Sequence, residues 1–274
     1  MAAEFPDRDI ALDLRNATRR ARPLRQLAGL GAVTAFALAS AATHAQDLVV
    51  SAAASLTDAF KAVGAAYEQT YPGRRVTFNF AASGPLLAQI RQGAPVDVFA
   101  SADQETMDRA AAGGLLAEGT RADFARNTLV VVVPAGPPNR IPAALGDLAG
   151  PAFRRIAAGS PSTVPAGRYA MAALQKAGLA QAVEPRMIYG ESVRQVLNYV
   201  ARGEVDAGFV YRTDALVEHG KTRIAFEVPT PMPIAYPIAQ VASGRNAASG
   251  KDFVSFVRGP QGRRILERHG FAAP

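Results

Sequence analysis

Short apolar runs rich in Val, Ile, Phe and Ala alternate along the chain with longer stretches whose apolar residues recur at helical spacing. The runs at 48–53, 75–80, 96–101, 128–133, 155–158, 186–189 and 207–211 read as strands. The stretches at 56–70, 85–92, 104–112, 168–177 and 193–201 read as helices. Continuous apolar runs separated by helical periods argue for an α/β fold, with mostly parallel sheets flanked by helices. From about 221 the rhythm changes. Two strands at 222–228 and 234–242 have no long helix between them, and helices follow at 251–257 and 261–268. The pattern predicts two lobes with the chain crossing between them, the candidate crossovers being 129–133 and the 222–242 strands. The expected division is a first lobe over 46–127, a second over 128–226, and a return to the first over 227–274. The Pro/Gly-rich stretch at 134–142 reads as a surface loop.

The first 45 residues follow a different logic. Arg15, Arg19, Arg20, Arg22 and Arg25 precede an uncharged stretch, 27–43, made mostly of Ala, Leu, Gly and Val. Thr43, His44 and Ala45 then supply small residues one and three positions before a cleavage point. That order is the order of a secretory signal, so 1–45 is expected to be a cleaved export signal. A membrane anchor is the competing reading, but the apolar stretch falls short of the roughly 20 residues that span a bilayer. The acids Glu4, Asp7, Asp9 and Asp13 are unusual ahead of such a signal and suggest a true start further downstream. Arg19-Arg20 hints at twin-arginine export, although the flanking residues match poorly.

Composition narrows the chemistry. The 274 residues include no Cys and no Trp. Without Cys there are no disulfides, no thiolate metal ligands, no iron–sulfur cluster, no thiol nucleophile and no lipid-modified N-terminal Cys. The formal net charge is +7. The segment 1–45 carries six Arg and four acids, which leaves a mild excess spread over the remainder. Arg258, Arg263, Arg264 and Arg268 cluster near the C-terminus with no interleaved aromatics, so no nucleic-acid partner is expected.

Enzyme motifs are largely missing. There is no G-x-G-x-x-G and no G-x-S-x-G. Gly220-Lys221-Thr222 resembles the tail of a phosphate-binding loop, but Ala215 occupies the position of its first Gly. Beyond residue 45 the histidines are His219 and His269, neither in a ligand-spaced cluster. Asp97 and Asp103 flank a strand end, where capping or ion pairing is a commoner role than paired acid–base work. No catalytic residue, cofactor or side-chain metal site is assigned.

What the sequence does offer is a set of helix starts directly after strand ends. Ala53-Ala54-Ser55-Leu56-Thr57-Asp58 has the form of a capping box. In Ala82-Ser83-Gly84-Pro85, Ser83 can cap, Gly84 allows close backbone approach, and Pro85 suits a first turn. Val164-Pro165-Ala166-Gly167 and Gly190-Glu191-Ser192-Val193 precede the helices at 168 and 193. In open α/β sheets such strand ends face the ligand crevice. Helix N-termini carry unpaired N–H donors and the positive end of the dipole, so several converging make an anion site without Lys or Arg. Each cap taken singly is more commonly structural.

These segments resemble the periplasmic molybdate-binding proteins of ABC transporters. The likeness lies in Leu48-Val49-Val50-Ser51-Ala52-Ala53-Ala54-Ser55-Leu56 and in 93–104, Gly-Ala-Pro-Val-Asp-Val-Phe-Ala-Ser-Ala-Asp-Gln. It continues through Asn127-Thr128-Leu129, Val164 to Ala170, Val193-Arg194-Gln195, Gly208-Phe209-Val210-Tyr211, Gly259-Pro260-Gln261 and His269-Gly270-Phe271. It covers essentially all of 47–274. The resemblance implies a two-lobed type II periplasmic binding protein with its ligand in the cleft. Matched by motif, the oxyanion-binding residues fall on Ser55 and Ser83 in one lobe and on Ala166, Val193 and Tyr211 in the other. The Ser83 turn departs from the family pattern, since Gly84-Pro85 stands where many relatives are Ser-rich. Ser192 stands where an acid often occurs. The implied ligand is molybdate or tungstate. The implied partners are an inner-membrane permease and its ATPase, with the receptor a periplasmic monomer.

The chemistry is coherent with that picture. A fully ionised tetrahedral dianion presents only acceptors, which suits a site made of donors. A monohydrogen phosphate carries a proton that such a site leaves unpaired, at a cost of about 1–3 kcal/mol. Size would separate molybdate and tungstate from sulfate. The alternatives are the same fold holding sulfate or a small organic acid, or a periplasmic hydrolase using Ser55 or Ser83. Arg168 or Arg194 turned into the cleft would favour a carboxylate ligand; as helix-surface residues, both are expected to point outward.

Overall fold

The computed structural model describes residues 47–136 and 140–274. The leader read at 1–45 lies outside the described residues, as do three residues of the 134–142 loop. Two five-stranded sheets organise the rest. The chain enters through β1 (Leu48–Ala53), a 3₁₀ turn (Ala54–Leu56) and α1 (Thr57–Thr70). It continues through β2 (Val76–Ala81), α2 (Ser83–Arg91), β3 (Val98–Ala100), α3 (Gln104–Ala112) and β4 (Ala122–Asn127). Thr128 alone separates β4 from β5 (Leu129–Pro134), which belongs to the second sheet.

The second sheet is built from β5, β6 (Ile156–Gly159), β7 (Met187–Gly190), β8 (Ala207–Tyr211) and β9 (Thr222–Glu227). Its helices are α4 (Pro165–Lys176), the short α5 (Ala180–Val183), α6 (Val193–Ala201) and α7 (Arg212–Val217). The chain then returns to the first sheet as β10 (Ile234–Gln240) and ends in α8 (Ala247–Arg258) and α9 (Pro260–Arg268).

The two sheets share one plan. Their orders are β2-β1-β3-β10-β4 and β7-β6-β8-β5-β9. In each, three parallel strands are followed by one antiparallel strand and then an edge strand. The antiparallel strands, β10 and β5, are those that carry the chain across. Right-handed βα units leave every parallel strand with its C-terminal end at one rim of its sheet, and both rims face the gap between the lobes.

Helical spacing explains which faces are buried. On α6, Val193, Val196, Leu197 and Val200 are buried and lie on one stripe. On α1, Ala59, Phe60, Val63 and Tyr67 do the same, and the Phe60 ring packs against Phe124 and Phe253 at 5.6 and 6.1 Å. β5 is apolar on both faces, with Leu129 to Val132 fully buried, as a central strand covered on both sides requires.

Most elements fall within a few residues of their predicted places. Not predicted were β4, the turns Leu145–Ala149 and Glu184–Arg186, α5 and α7. β4 lies at a sheet edge and buries only Phe124 and Ala125 among polar neighbours, so it carries no apolar run to detect. α4 begins at Pro165, three residues before the predicted start, because Pro suits the first turn of a helix.

Candidate functional site: a donor-lined cavity between the lobes

Strand ends from both sheets deliver their helix starts to one place. A small cavity of about 10 Å³ lies there. Its wall on the first-sheet side is Ala53, Ala54, Ser55, Ala82, Ser83 and Ala102. On the other side it is Val164, Pro165, Ala166, Val193 and Tyr211. All five residues matched by motif line this one cavity, although up to 156 positions separate them in the chain. Among the described residues no charged side chain lines it.

The donors are of two kinds. The first N–H groups of a helix have no acceptor within that helix. α2 begins at Ser83, α4 at Pro165 with Ala166 as its first N–H, and α6 at Val193. The others are hydroxyls. Ser83 Oγ accepts from the Ala102 N–H at 3.0 Å, which leaves the serine proton free to donate. Ser55 Oγ lies 3.0 Å from Tyr236 Oη. Tyr211 Oη is fully buried and has no hydrogen-bond partner among the described residues. A buried hydroxyl without a partner costs about 1–3 kcal/mol, so its presence against the cavity points to a ligand acceptor. Burial pushes the Tyr211 hydroxyl well above its ordinary pKa, with neighbouring Tyr236 adding to the shift, so it stays a neutral donor.

Two sequence expectations are corrected here. Ser55 does not form a capping box with Asp58: it sits inside the 3₁₀ turn, and α1 starts without a side-chain cap. Its hydroxyl is taken by Tyr236, and Asp58 pairs with Arg194 instead. Ser83 likewise is the first residue of α2 rather than its cap, and holds the β3–α3 turn. Ser192 and Asp103 are true caps, accepting from the N–H groups of Gln195 and Thr106.

The expectation that Arg168 and Arg194 point outward is also overturned. Arg168 reaches across the cleft to Asp103, with Nε at 3.0 Å and Nη2 at 2.5 Å from Oδ2, and its Nη2 also donates to Thr106 Oγ1 at 2.7 Å. Arg194 bridges Asp58 of the first lobe at 2.7 Å and Asp214 of the second at 2.6 Å. Burial holds the Asp214 carboxyl above the usual carboxylate range, with Arg194 offsetting only part of the rise. Both guanidinium groups are therefore committed to carboxylates on either side of the cavity. The local signal that could have found them is slight: an Arg in the first turn of a helix that opens on the cleft.

Gly84 is where the lobes come into backbone contact. Its N–H donates to the Thr163 carbonyl at 3.0 Å, and a Cβ there would stand 2.5 Å from that oxygen. The glycine allows close approach, as predicted, but it is the other lobe's backbone that approaches. Sequence reasoning missed Tyr236 and Asn127, which stand behind Ser55. Among the described residues no group of His, Asp and Glu is arranged to hold a metal ion.

With this geometry in view, comparison with known proteins is specific. Residues 48–272 match the family model described as bacterial extracellular solute-binding protein. The molybdate-binding protein ModA of Mycobacterium bovis is 40% identical over 232 residues, covering 84% of this chain and 86% of its own. That of Escherichia coli K12 is 37% identical over 246 residues, covering 88% and 95%. The solved periplasmic molybdate-binding protein of Azotobacter vinelandii superposes with a TM-score of 0.72 at 26% identity, covering 83% of this chain and 100% of that one. The chain belongs to the bacterial extracellular solute-binding protein family.

Proposed function

We propose that the protein is the receptor of an ABC transporter that captures molybdate, and tungstate with it, and delivers it to a membrane permease driven by an ATPase. The observation that carries this reading is a small cavity walled by hydroxyls, helix N-termini and small apolar residues, with the flanking Arg168 and Arg194 already paired to carboxylates. Such a wall offers donors only. It matches a tetrahedral dianion that offers acceptors only, and leaves unpaired the proton of a monohydrogen phosphate. Ser55 and Ser83 donate from one lobe; the Ala166 and Val193 amides and the Tyr211 hydroxyl donate from the other. The ligand thus bridges the lobes and favours their closure by hinge motion. The oxo groups, not the metal, meet the protein.

The finer parts of the reading follow from this role. Residues 1–45 are a cleaved export signal, the mature chain works as a monomer in the periplasm, and the protein carries out no catalysis. The lobes divide as 46–127 with 227–274, and 128–226. The hydrolase alternative is disfavoured because Ser55 Oγ faces Tyr236 rather than a base. An organic-acid ligand is disfavoured because Arg168 and Arg194 are held by Asp103, Asp58 and Asp214.

Titration calorimetry on the ligand-stripped protein tests the proposal. Molybdate and tungstate are expected to bind one to one, with sulfate at least about 100-fold weaker and phosphate weaker still. Absence of heat and of thermal stabilisation with both molybdate and tungstate would discard it.

A further inference from the structure

Behind Ser55 runs a chain of hydrogen bonds whose direction is set from its far end. The Thr128 N–H donates to Asn127 Oδ1 at 2.9 Å, which fixes the orientation of the Asn127 amide. Its NH₂ group is thereby turned to Thr213 Oγ1 at 2.8 Å and to Tyr236 Oη at 3.2 Å. With one lone pair occupied by Asn127, Tyr236 has its own proton to place, and Ser55 Oγ at 3.0 Å is the partner that the structure gives it. Tyr236 is fully buried, so no solvent competes for that proton. Ser55 accepts from Tyr236 and is left with its proton pointed at the cavity.

We propose that Asn127 and Tyr236 are specificity-determining positioning residues. Together they occupy a Ser55 lone pair and free its proton for the ligand, which favours fully deprotonated oxyanions over protonated ones. The inference rests on the oxyanion-receptor reading and deepens it. The direction originates in a backbone N–H, which cannot reverse, and is passed on by an amide whose two ends differ. A Ser whose hydroxyl could rotate freely would accept a proton from hydrogen phosphate as readily as donate one to a dianion. Asn127 also stands at the end of β4, next to the crossover into β5, so the chain is anchored in the segment that joins the lobes.

Asn127→Asp tests this with little change of shape. The new carboxylate still accepts from the Thr128 N–H but cannot donate to Tyr236. Tyr236 then donates to that carboxylate, accepts from Ser55, and turns a Ser55 lone pair to the cavity. Affinities of the purified wild type, Asn127→Asp and Tyr236→Phe are measured for molybdate, and for sulfate and inorganic phosphate by displacement of molybdate, at a mildly alkaline pH where phosphate is the monohydrogen dianion and carries the same charge as the other two. The ratio of molybdate to phosphate affinity is expected to fall at least about 10-fold in Asn127→Asp and less in Tyr236→Phe, while the molybdate-to-sulfate ratio stays within about 3-fold of wild type. Added negative charge or a merely loosened site weakens all three anions together and leaves both ratios where they were. Unchanged ratios in folded variants overturn the inference whatever happens to absolute affinity. If Asn127→Asp fails to fold, Tyr236→Phe decides by the same ratios. A wild type that binds none of the anions refutes the receptor reading instead.

Discussion

Arg168 on α4 and Asp103 at the start of α3 hold the two lobes together across the mouth of the cavity, with Nη2 2.5 Å from Oδ2 and the carboxylate almost wholly buried. The same Asp103 carboxylate also caps α3 and meets Ser101 Oγ, so it is set in place before the arginine arrives. An ion pair formed only when the lobes meet adds its energy to the closed state, and through it to ligand affinity.

Replacing the arginine tests that coupling. Arg168→Met keeps the bulk of the side chain and leaves the Asp103 cap intact. Molybdate affinity is expected to drop by about 10-fold, mostly through faster release. Stopped-flow dissociation and calorimetry measure it. Equal release rates in variant and wild type would show that the pair does not hold the cleft shut.

Tyr211 and Ser83 are expected to respond differently to loss of their hydroxyls. Tyr211 Oη has no partner among the described residues, so Tyr211→Phe removes a buried unsatisfied group, and the unliganded protein becomes as stable as wild type or more so. Ser83→Ala strips the Ala102 N–H of its acceptor and destabilises the unliganded protein by about 1–3 kcal/mol. Both are expected to weaken molybdate binding by about 10-fold or more. Denaturant melts paired with calorimetry separate the two effects.

Two glycines make a similar contrast. A Cβ at Gly84 would meet the Thr163 carbonyl of the other lobe at 2.5 Å. Gly84→Ala, inside α2 where Ala is the better helix former, is therefore expected to leave folding intact and cost about 10-fold or more in affinity by blocking closure. A Cβ at Gly167 would lie 1.9 Å from the Gly159 carbonyl, where α4 rests on β6 within one lobe. Gly167→Ala is expected to destabilise the fold by about 1–3 kcal/mol. Thermal melts with and without molybdate distinguish the two outcomes.

Alkaline pH probes the buried tyrosines. Burial raises the pKa values of Tyr211 and Tyr236 well above the ordinary value. In the unfolded chain tyrosine ionises near pH ~10. Above that pH the unfolded state binds fewer protons than the native state, so stability falls as pH rises, whereas below it these groups contribute no slope. Phenolate absorbance is expected to show a late step that coincides with unfolding and shrinks in Tyr211→Phe. A smooth titration near pH ~10 with no unfolding-linked step would contradict this burial.

Much of this architecture was legible in the order of residues. Apolar runs and helical spacing are local properties, so β1, α3, α6 and β8 could be bounded from the chain alone. The turns that open α2, α4 and α6 were visible for the same reason, since strand ends and an early Pro are written in consecutive residues, although α2 and α4 begin two and three residues earlier than helical spacing alone places them. β4 and α7 were not, because an edge strand and a six-residue helix depend on their neighbours more than on their own pattern.

The α/β class, the two-lobe plan and, through family resemblance, the five residues that meet at the cavity are all written in the order of residues. What stands around those five residues is set by packing between distant segments. Ser55 and Tyr236 are 181 residues apart, and Arg168 and Asp103 are 65 apart on different lobes. Whether an arginine on a helix faces solvent or a carboxylate, and whether a serine caps its own helix or answers to a distant tyrosine, depends on which surfaces are pressed together and dried. Desolvation makes those pairings obligatory, and it exists only once the two sheets are folded and the cleft between them is closed.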